Sequence, residues 1–442
     1  MGRIELLEPF LEGGIRNTNF FNGRLLSAED LRQEQQANRA RDAQLGRAIG
    51  AGVVNGLEVE SAPQSGAGGL KNAVVRVSAG MALNENGQTL SLPLDTEVAL
   101  VRELEAANAE AGLFATCAPP TQTAVVAGAG VYLLVITPAS GYDERAPVSG
   151  LGNTGLTSPG CGSRYAVEGV QFKLVNADVD TNPAIPADAR AELKTLMNAG
   201  GAANLSLLRN MLAQLCSGEA RRKSFVADPF VEDAARAGAK LTTPLKQQGM
   251  LTPCDVPLAL VYWTANGIGF TDMWSVRRRP SGRPDADRWS PSLDDGRVAN
   301  AEAMFRQFQE HLDAIRRDNP HPEGVAAKSY FRYLPPAGIV PLASAGSPVG
   351  FNYLKFFEGI IYPPPVYTEG ARAVELLRTA LDYAPHVLGG KEVLRVYRVR
   401  ENMGAQAAAD PPQPYMIFTS GHVPYHGDAH YNLARWNYSN YS

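Results

Sequence analysis

The sequence predicts an α+β protein. Two β-rich portions flank a helical segment, an N-terminal arm and long helix lead, and an extended aromatic C-terminal tail closes the chain. Three observations predict this. Asn86-Gly87 and Asn266-Gly267 each separate short apolar runs, and Asn-Gly supplies the two positive φ angles of a tight hairpin. Between these hairpins, residues 187–199 and 205–215 carry apolar side chains at helical spacing, with Leu205, Leu208, Leu212 and Leu215 on one face. The 43 glycines and 31 prolines among 442 residues punctuate the chain too often for a helical bundle.

Residues 1–52 are read as a docking arm and helix. Phe20 and Phe21 run into an Asn22-Gly23 turn, ahead of any element that could bury them. Ser27-Ala28-Glu29-Asp30 has the form of a capping box, and acids in a first turn suit the helix dipole. From there to Arg47 the chain is dense in Gln, Arg, Glu and Ala, all good helix formers. Leu31, Asn38 and Leu45 recur every seven residues, and a polar Asn between leucines at one heptad position fixes register in coiled coils. The run is short for a coiled coil, so a half-exposed helix lying on a domain is the plainer reading.

Residues 53–180 form the first β-rich domain. Runs at 53–59 and 74–83 lead through Asn86-Gly87 to a return strand at 89–92, and Val131 to Ile136 is apolar on both faces, as a central strand must be. Residues 139–164, loaded with Gly, Pro and Ser, read as a loop too long to be a plain connector. Residues 181–250 are the helical segment. Residues 251–442 form a second α+β domain with the tail. It holds the Asn266-Gly267 hairpin, an amphipathic helix at 297–317 with Phe305, Phe308, Leu312 and Ile315 on its stripe, a further helix at 370–383, and an alternating strand at 393–399.

The formal net charge of −4 gives no overall drive toward nucleic acid or anionic membrane. No apolar run approaches the ~20 residues that span a bilayer, so membrane insertion is not expected, and the N-terminal residues lack the features of a secretory signal. Cys117, Cys161, Cys216 and Cys254 form no CxxC pair. Free buried thiols in a reduced cytoplasm are the expected state. A Cys117–Cys161 pairing stays open because both lie in Gly/Pro-rich loops.

Few constellations could carry chemistry. His422, His426 and His430 are four apart, the spacing that puts imidazoles on one helix face for zinc. Gly421, Pro424 and Gly427 interrupt any such helix, so a tail packed on a neighbour is favoured and no metal or cofactor is expected. Asp285, Asp287, Asp294 and Asp295 match only part of a calcium loop and read as a solvated acidic loop. Arg277-Arg278-Arg279 reads as a solvated or interface-pairing edge. Nucleophile-elbow, P-loop and dinucleotide motifs are not found. Both ends instead look built to touch something. Phe20, Phe21, Leu25, Leu31 and Leu45 supply anchors at one end, and Trp436, Tyr438 and Tyr441 at the other.

Several blocks, taken in order, resemble a structural family encoded with phage-tail-like (extracellular) contractile injection systems. They are the run from Phe20 to Leu31, Gly52 to Val59, Leu208 to Ala213, Cys254 to Ala259, Trp274 to Arg279 and Tyr333 to Gly338. That family often has an aromatic between helix and first strand, where this chain has Ala51-Gly52. Its role is inferred from gene neighbourhood, so the resemblance implies a setting. It implies a non-enzymatic subunit of the particle, baseplate-associated or fibre-like, whose partners are the other subunits. Such a subunit would be assembled in the bacterial cytoplasm and carried in a particle that can act outside the cell. A homo-oligomer follows, with a trimer expected because such appendages are commonly cyclic. The rival readings are a particle-borne hydrolase or effector using His422, His426 and Asp428, and a carbohydrate-binding module that recognises targets through Trp and Tyr.

Overall fold

The computed structural model describes residues 13–61, 73–100, 130–147, 161–218, 240–264, 266–282, 295–344, 349–381 and 383–421. The chain is α+β. Its centre is a four-stranded antiparallel sheet, ordered β10 (Gly267–Asp272), β9 (Val256–Thr264), β7 (Gly130–Pro147) and β8 (Cys161–Asn176). Strand alternation gives this sheet two buried faces. Val131, Leu133 and Val135 point to one side, where they pack with Leu193 of α2 (Ala187–Ala199), Leu208 and Leu212 of α3 (Ala202–Ser217) and Leu245 of α4 (Thr242–Gln247). Tyr132, Leu134 and Ile136 point to the other, against Val53, Val75 and Leu90. Each of these fully buried apolar side chains stabilises the fold by about 1.5–3 kcal/mol.

That second face is capped by two small antiparallel sheets. One is β1 (Gly52–Gly56), β4 (Gly80–Leu83) and β5 (Thr89–Leu92); the other is β2 (Val59–Ser61), β3 (Val74–Val77) and β6 (Thr96–Ala99). The Asn86-Gly87 hairpin forms, but through a longer loop than the two-residue turn expected: Leu83 pairs with Thr89, Gly87 but not Asn86 takes a positive φ (+80°), and the Gly87 N–H donates to the Asn84 carbonyl at 2.9 Å. The second hairpin also forms, with Thr264 opposite Gly267. Because β9 and β10 pair into the same sheet as β7 and β8, this sheet runs across the compositional cut points near 180 and 250.

Beyond the sheet, β7 and β8 continue as a pair. β9 accompanies β7 only from Gly130 to Ile136, whereas β8 pairs with it out to Pro147. The stretch read from composition as a loop therefore contains a two-stranded ribbon at both of its ends. Ladder pairing holds these Gly- and Ser-rich strands together, a long-range contact that local composition does not report.

The C-terminal half builds on a second four-stranded sheet, ordered β12 (Ala337–Pro341), β16 (Tyr415–Thr419), β15 (Arg395–Val399) and β13 (Val366–Thr368), with β13–β15 parallel. A short pair, β11 (Tyr333–Leu334) and β14 (His386–Val387), lies apart from it, and two brief helices, α6 (Tyr353–Phe356) and α8 (Arg400–Gly404), complete the set. One face of the four-stranded sheet packs with α5 (Asp295–Asp318) through Phe308 and Leu312, joined by Phe331, Phe351, Phe356 and Phe418. The other face holds Ala373 of α7 (Gly370–Ala380) against Tyr397 and Ile417. Among the described residues no helix is long and apolar enough to cross a membrane, and no group of three or more His, Cys, Asp or Glu is placed to hold a metal.

The cysteines depart from the expected set of free thiols. Cys216 is free and buried, and burial pushes its thiol up to about 12. Cys254, also buried, is disulfide-bonded. Cys117 lies outside the described residues.

Candidate docking site

Helix α1 (Ala28–Ile49) starts at Ser27 as the capping box requires. The Asp30 amide donates to Ser27 Oγ at 3.2 Å, and the Ser27 amide donates to Asp30 Oδ2 at 2.9 Å. The Ser27 backbone and hydroxyl donors, with Arg24 beside them, hold the Asp30 carboxyl below its ordinary value. The arm folds back along the helix. Thr18 Oγ1 donates to the Asp30 carbonyl at 2.8 Å, Gln33 Nε2 to the Arg16 carbonyl at 3.0 Å, and Arg24 to the Asn19 carbonyl at 2.7 Å and to Asp30. A groove of about 370 Å³ runs between arm and helix, lined by Ile15, Arg16, Gln33, Ala37 and Gln44 among others. The arm is thus fixed by polar contacts, and its apolar side chains are left outside.

The inner face of α1 is made of small residues. Gly46 meets the Asn86-Gly87 turn so closely that a Cβ there would lie 2.1 Å from the Gly87 carbonyl oxygen. Gly50 is buried on the same inward side and Ala37 on the opposite side, under the arm, and Arg39 pairs with Glu168 of β8 at 2.9 Å. At Gly52, where the resembling family often has an aromatic nearby, a Cβ would sit 2.6 Å from the Arg279 backbone; this chain closes the junction backbone to backbone.

What remains outside is apolar. Leu25 is 94% exposed, Leu45 66%, Phe21 62%, Phe20 56% and Leu31 52%; Leu26 and Ile49 are exposed beside them. The structure thus places five of the sequence-selected anchors on one arm-and-helix unit. Trp436, Tyr438, Tyr441, His422, His426, His430 and Asp428 lie outside the described residues.

The strongest polar constellation lies inside, where the halves of the molecule meet. Asp272 at the end of β10 is fully buried and accepts from Arg209 Nε of α3 at 2.6 Å, Gln307 Nε2 of α5 at 2.8 Å and the Ser275 amide at 3.1 Å. Trp274 Nε1 donates to Glu310 at 2.6 Å, and burial raises the Glu310 carboxyl above its ordinary range. Arg277 and Arg306 approach the Trp274 ring at 5.3 and 4.7 Å. Arg277 and Arg278 are therefore not part of a solvated edge, whereas Arg279 is exposed. Arg277 is buried and donates to the Leu57 and Gly56 carbonyls at 2.8 and 2.6 Å, which joins the first β-rich unit to the turn after β10. Arg278 donates to Asn300 of α5 and to the Trp274, Ser275 and Arg277 carbonyls, and Arg279 pairs with Glu302. The sequence hid this because a run of three arginines reads as solvent-facing, while the carbonyls that accept from it are distant in the chain.

Ser206 and His311 form the arrangement nearest to a nucleophile and base, 2.6 Å apart and buried. Their hydrogen bonds run the wrong way for catalysis. Ser206 Oγ spends its proton on the Tyr330 carbonyl at 2.9 Å, so His311 Nε2 must donate to it, whereas a serine nucleophile needs that nitrogen as acceptor. Burial, with Arg209 secondarily, lowers the His311 pKa well below 6.5. The pair pins α3 to α5. Its pH consequence has a definite sign. The unfolded chain takes up a proton at His311 as pH falls through about 6.5 and the folded chain does not, so this group's contribution is full above 6.5 and is lost as pH falls below it. Urea titrations between pH 7 and 5 should show falling stability, and His311→Gln should flatten the slope in that window.

No family model matches this chain, and no curated protein matches it. Among solved structures it is similar to the crystal structure of TssK, at 9% identity and TM-score 0.20, over 53% of this chain and 55% of that one. A likeness that low carries no weight for fold or function.

Proposed function

We propose that this chain is a structural, non-enzymatic subunit of a phage-tail-like contractile injection particle, baseplate-associated or fibre-like, built into it through the N-terminal arm and α1. The observation that supports this reading is the ordered arm-and-helix unit that carries a run of large exposed apolar side chains from Phe20 to Ile49. Single apolar residues scattered on a surface need no explanation, but Phe20, Phe21, Leu25, Leu26, Leu31, Leu45 and Ile49 are all exposed on one arm and helix. The sequence blocks that resemble proteins encoded with such particles supply the setting. The partners are other subunits of the particle, which is assembled in the bacterial cytoplasm and can act outside the cell.

The test is incorporation. The double variant Leu25→Asp, Leu45→Asp alters two solvent-facing positions and should leave the melting temperature within about 2 °C of the parent, as surface changes of small ΔΔG do. Its copies per purified particle should fall by about tenfold or more, the scale of losing hot-spot side chains. Normal incorporation would overturn the reading. Incorporation that persists together with a hydrolytic or sugar-binding activity lost on His426→Ala would favour the rival readings.

A further inference from the structure

We propose that α1 pairs antiparallel with the α1 of a second copy of this chain, about a twofold axis that passes Asn38. This deepens the assembly reading and rests on α1 being an interface helix.

Two independent features of α1 point to this occupant. The first is charge. The half from Ala28 to Asn38 carries Glu29, Asp30 and Glu34 against Arg32, a net −2; the half from Arg39 to Ile49 carries Arg39, Arg41 and Arg47 against Asp42, a net +2. An antiparallel partner sets each acidic half on a basic half, and a parallel one sets like on like. The same polarity suits the helix's own dipole, so charge needs the second feature.

The second is spacing on the exposed face. Seven residues advance a helix by almost two whole turns, with a drift of about 20°, so Leu31, Asn38 and Leu45 share one face, and all three are exposed. The leucines are equidistant from Asn38. A twofold there lays Leu31 on the partner's Leu45, Leu45 on the partner's Leu31, and Asn38 on its own equivalent. Asn38 is suited to that position because its amide both donates and accepts. The same operation brings Ile49 to the height of the partner's Leu26 and Ser27, so the exposed Leu26 and its neighbour Leu25 lie where they can cover it. It also sets Glu34 beside the partner's Arg41 on the flank of the seam. Every exposed large apolar residue from Leu25 to Ile49 is covered by one isologous contact.

The body leaves this face open. The contacts named above that fix α1 to the body fall in its second half, at Arg39, Gly46 and Gly50, and the arm lies along the other flank. A threefold arrangement with parallel α1 helices would set the three acidic halves together, so the twofold replaces the trimer expected from sequence. Phe20 and Phe21 lie outside the seam and remain for other subunits.

Cysteine cross-linking of the full chain tests both the pairing and its direction. Asn38→Cys should form a covalent dimer on mild oxidation. Leu31→Cys and Leu45→Cys should each form no covalent dimer alone, since like positions lie about 21 Å apart across the axis, but should couple to each other when mixed. Glu34→Arg should weaken dimerisation by about threefold to tenfold, within the range of charged-pair couplings, and adding Arg41→Glu in the same chain should restore it. Self-coupling of Leu31→Cys alone would overturn the antiparallel pairing. An Asn38→Cys variant that never dimerises would overturn the twofold altogether. If the Leu25→Asp, Leu45→Asp chain is nevertheless lost from particles, another subunit covers α1, and the assembly reading stands without the twofold.

Discussion

Asp272→Asn should lower the unfolding free energy by about 3–5 kcal/mol, the cost of breaking a buried ion pair on one side. The carboxylate has no solvent access and accepts from Arg209, Gln307 and the Ser275 backbone. An asparagine keeps the shape but removes the charge and turns one acceptor into a donor. Arg209, itself largely buried, is then a cation in a low-dielectric site without its counter-charge. Because Asp272 joins β10, α3 and α5, the loss should fall on the contact between the central sheet and the C-terminal half. Urea denaturation checks the magnitude. A double variant Arg209→Leu, Asp272→Leu should recover much of the loss, since apolar replacement of a buried pair is often neutral or stabilising. A single variant as stable as the parent would show that the ion pair is not the junction.

Gly46→Val should detach α1 from the body while leaving the body folded. A Cβ at Gly46 would lie 2.1 Å from the Gly87 carbonyl oxygen and 2.7 Å from its carbon, both backbone atoms with nowhere to move. The turn cannot yield either, because Gly87 sits at φ +80° with its own Cβ direction aimed at the Ala43 carbonyl at 2.0 Å. Branching at Cβ adds further atoms to the clash. The cost of several kcal/mol is avoided by lifting the helix off, which also breaks the Arg39–Glu168 contact. Amide hydrogen exchange should show α1 and the arm exchanging faster by about a hundredfold or more, as expected for a unit losing about 3 kcal/mol of local stability. The central sheet should keep its protection. Unchanged exchange in α1 would mean that the Gly46–Gly87 contact does not hold the helix.

Much of this fold was legible in the chain. Ser27 and Asp30 marked the start of α1, the two Asn-Gly pairs marked the hairpins, and the apolar run from Val131 marked the central strand. In each case the decisive physics is local: a cap, a turn that needs positive φ, or an alternation of apolar side chains. Three features were hidden because their partners are remote. Arg277 is buried only because the Leu57 and Gly56 carbonyls come to it across the fold. The ribbon from Ala139 exists only because β8 returns beside it. Asp272 gathers donors from two helices whose approach no window of sequence contains. Gly46 did leave a signal: a glycine in a run of strong helix formers costs about 1 kcal/mol, and it is kept here because nothing larger fits against Gly87.

On the proposed function, the apolar face formed by the arm and α1 is covered by a companion when the subunit is at work, and thiol labelling reads that cover out. Leu25→Cys and Leu45→Cys chains would be reacted with a maleimide as dilute free subunits and again within assembled particles, with the parent chain as background. Labelling at both positions should slow by about tenfold or more on assembly, as expected when an interface excludes solvent from its anchors. Equal rates in the two states would show that the face stays open to water, and would contradict the account.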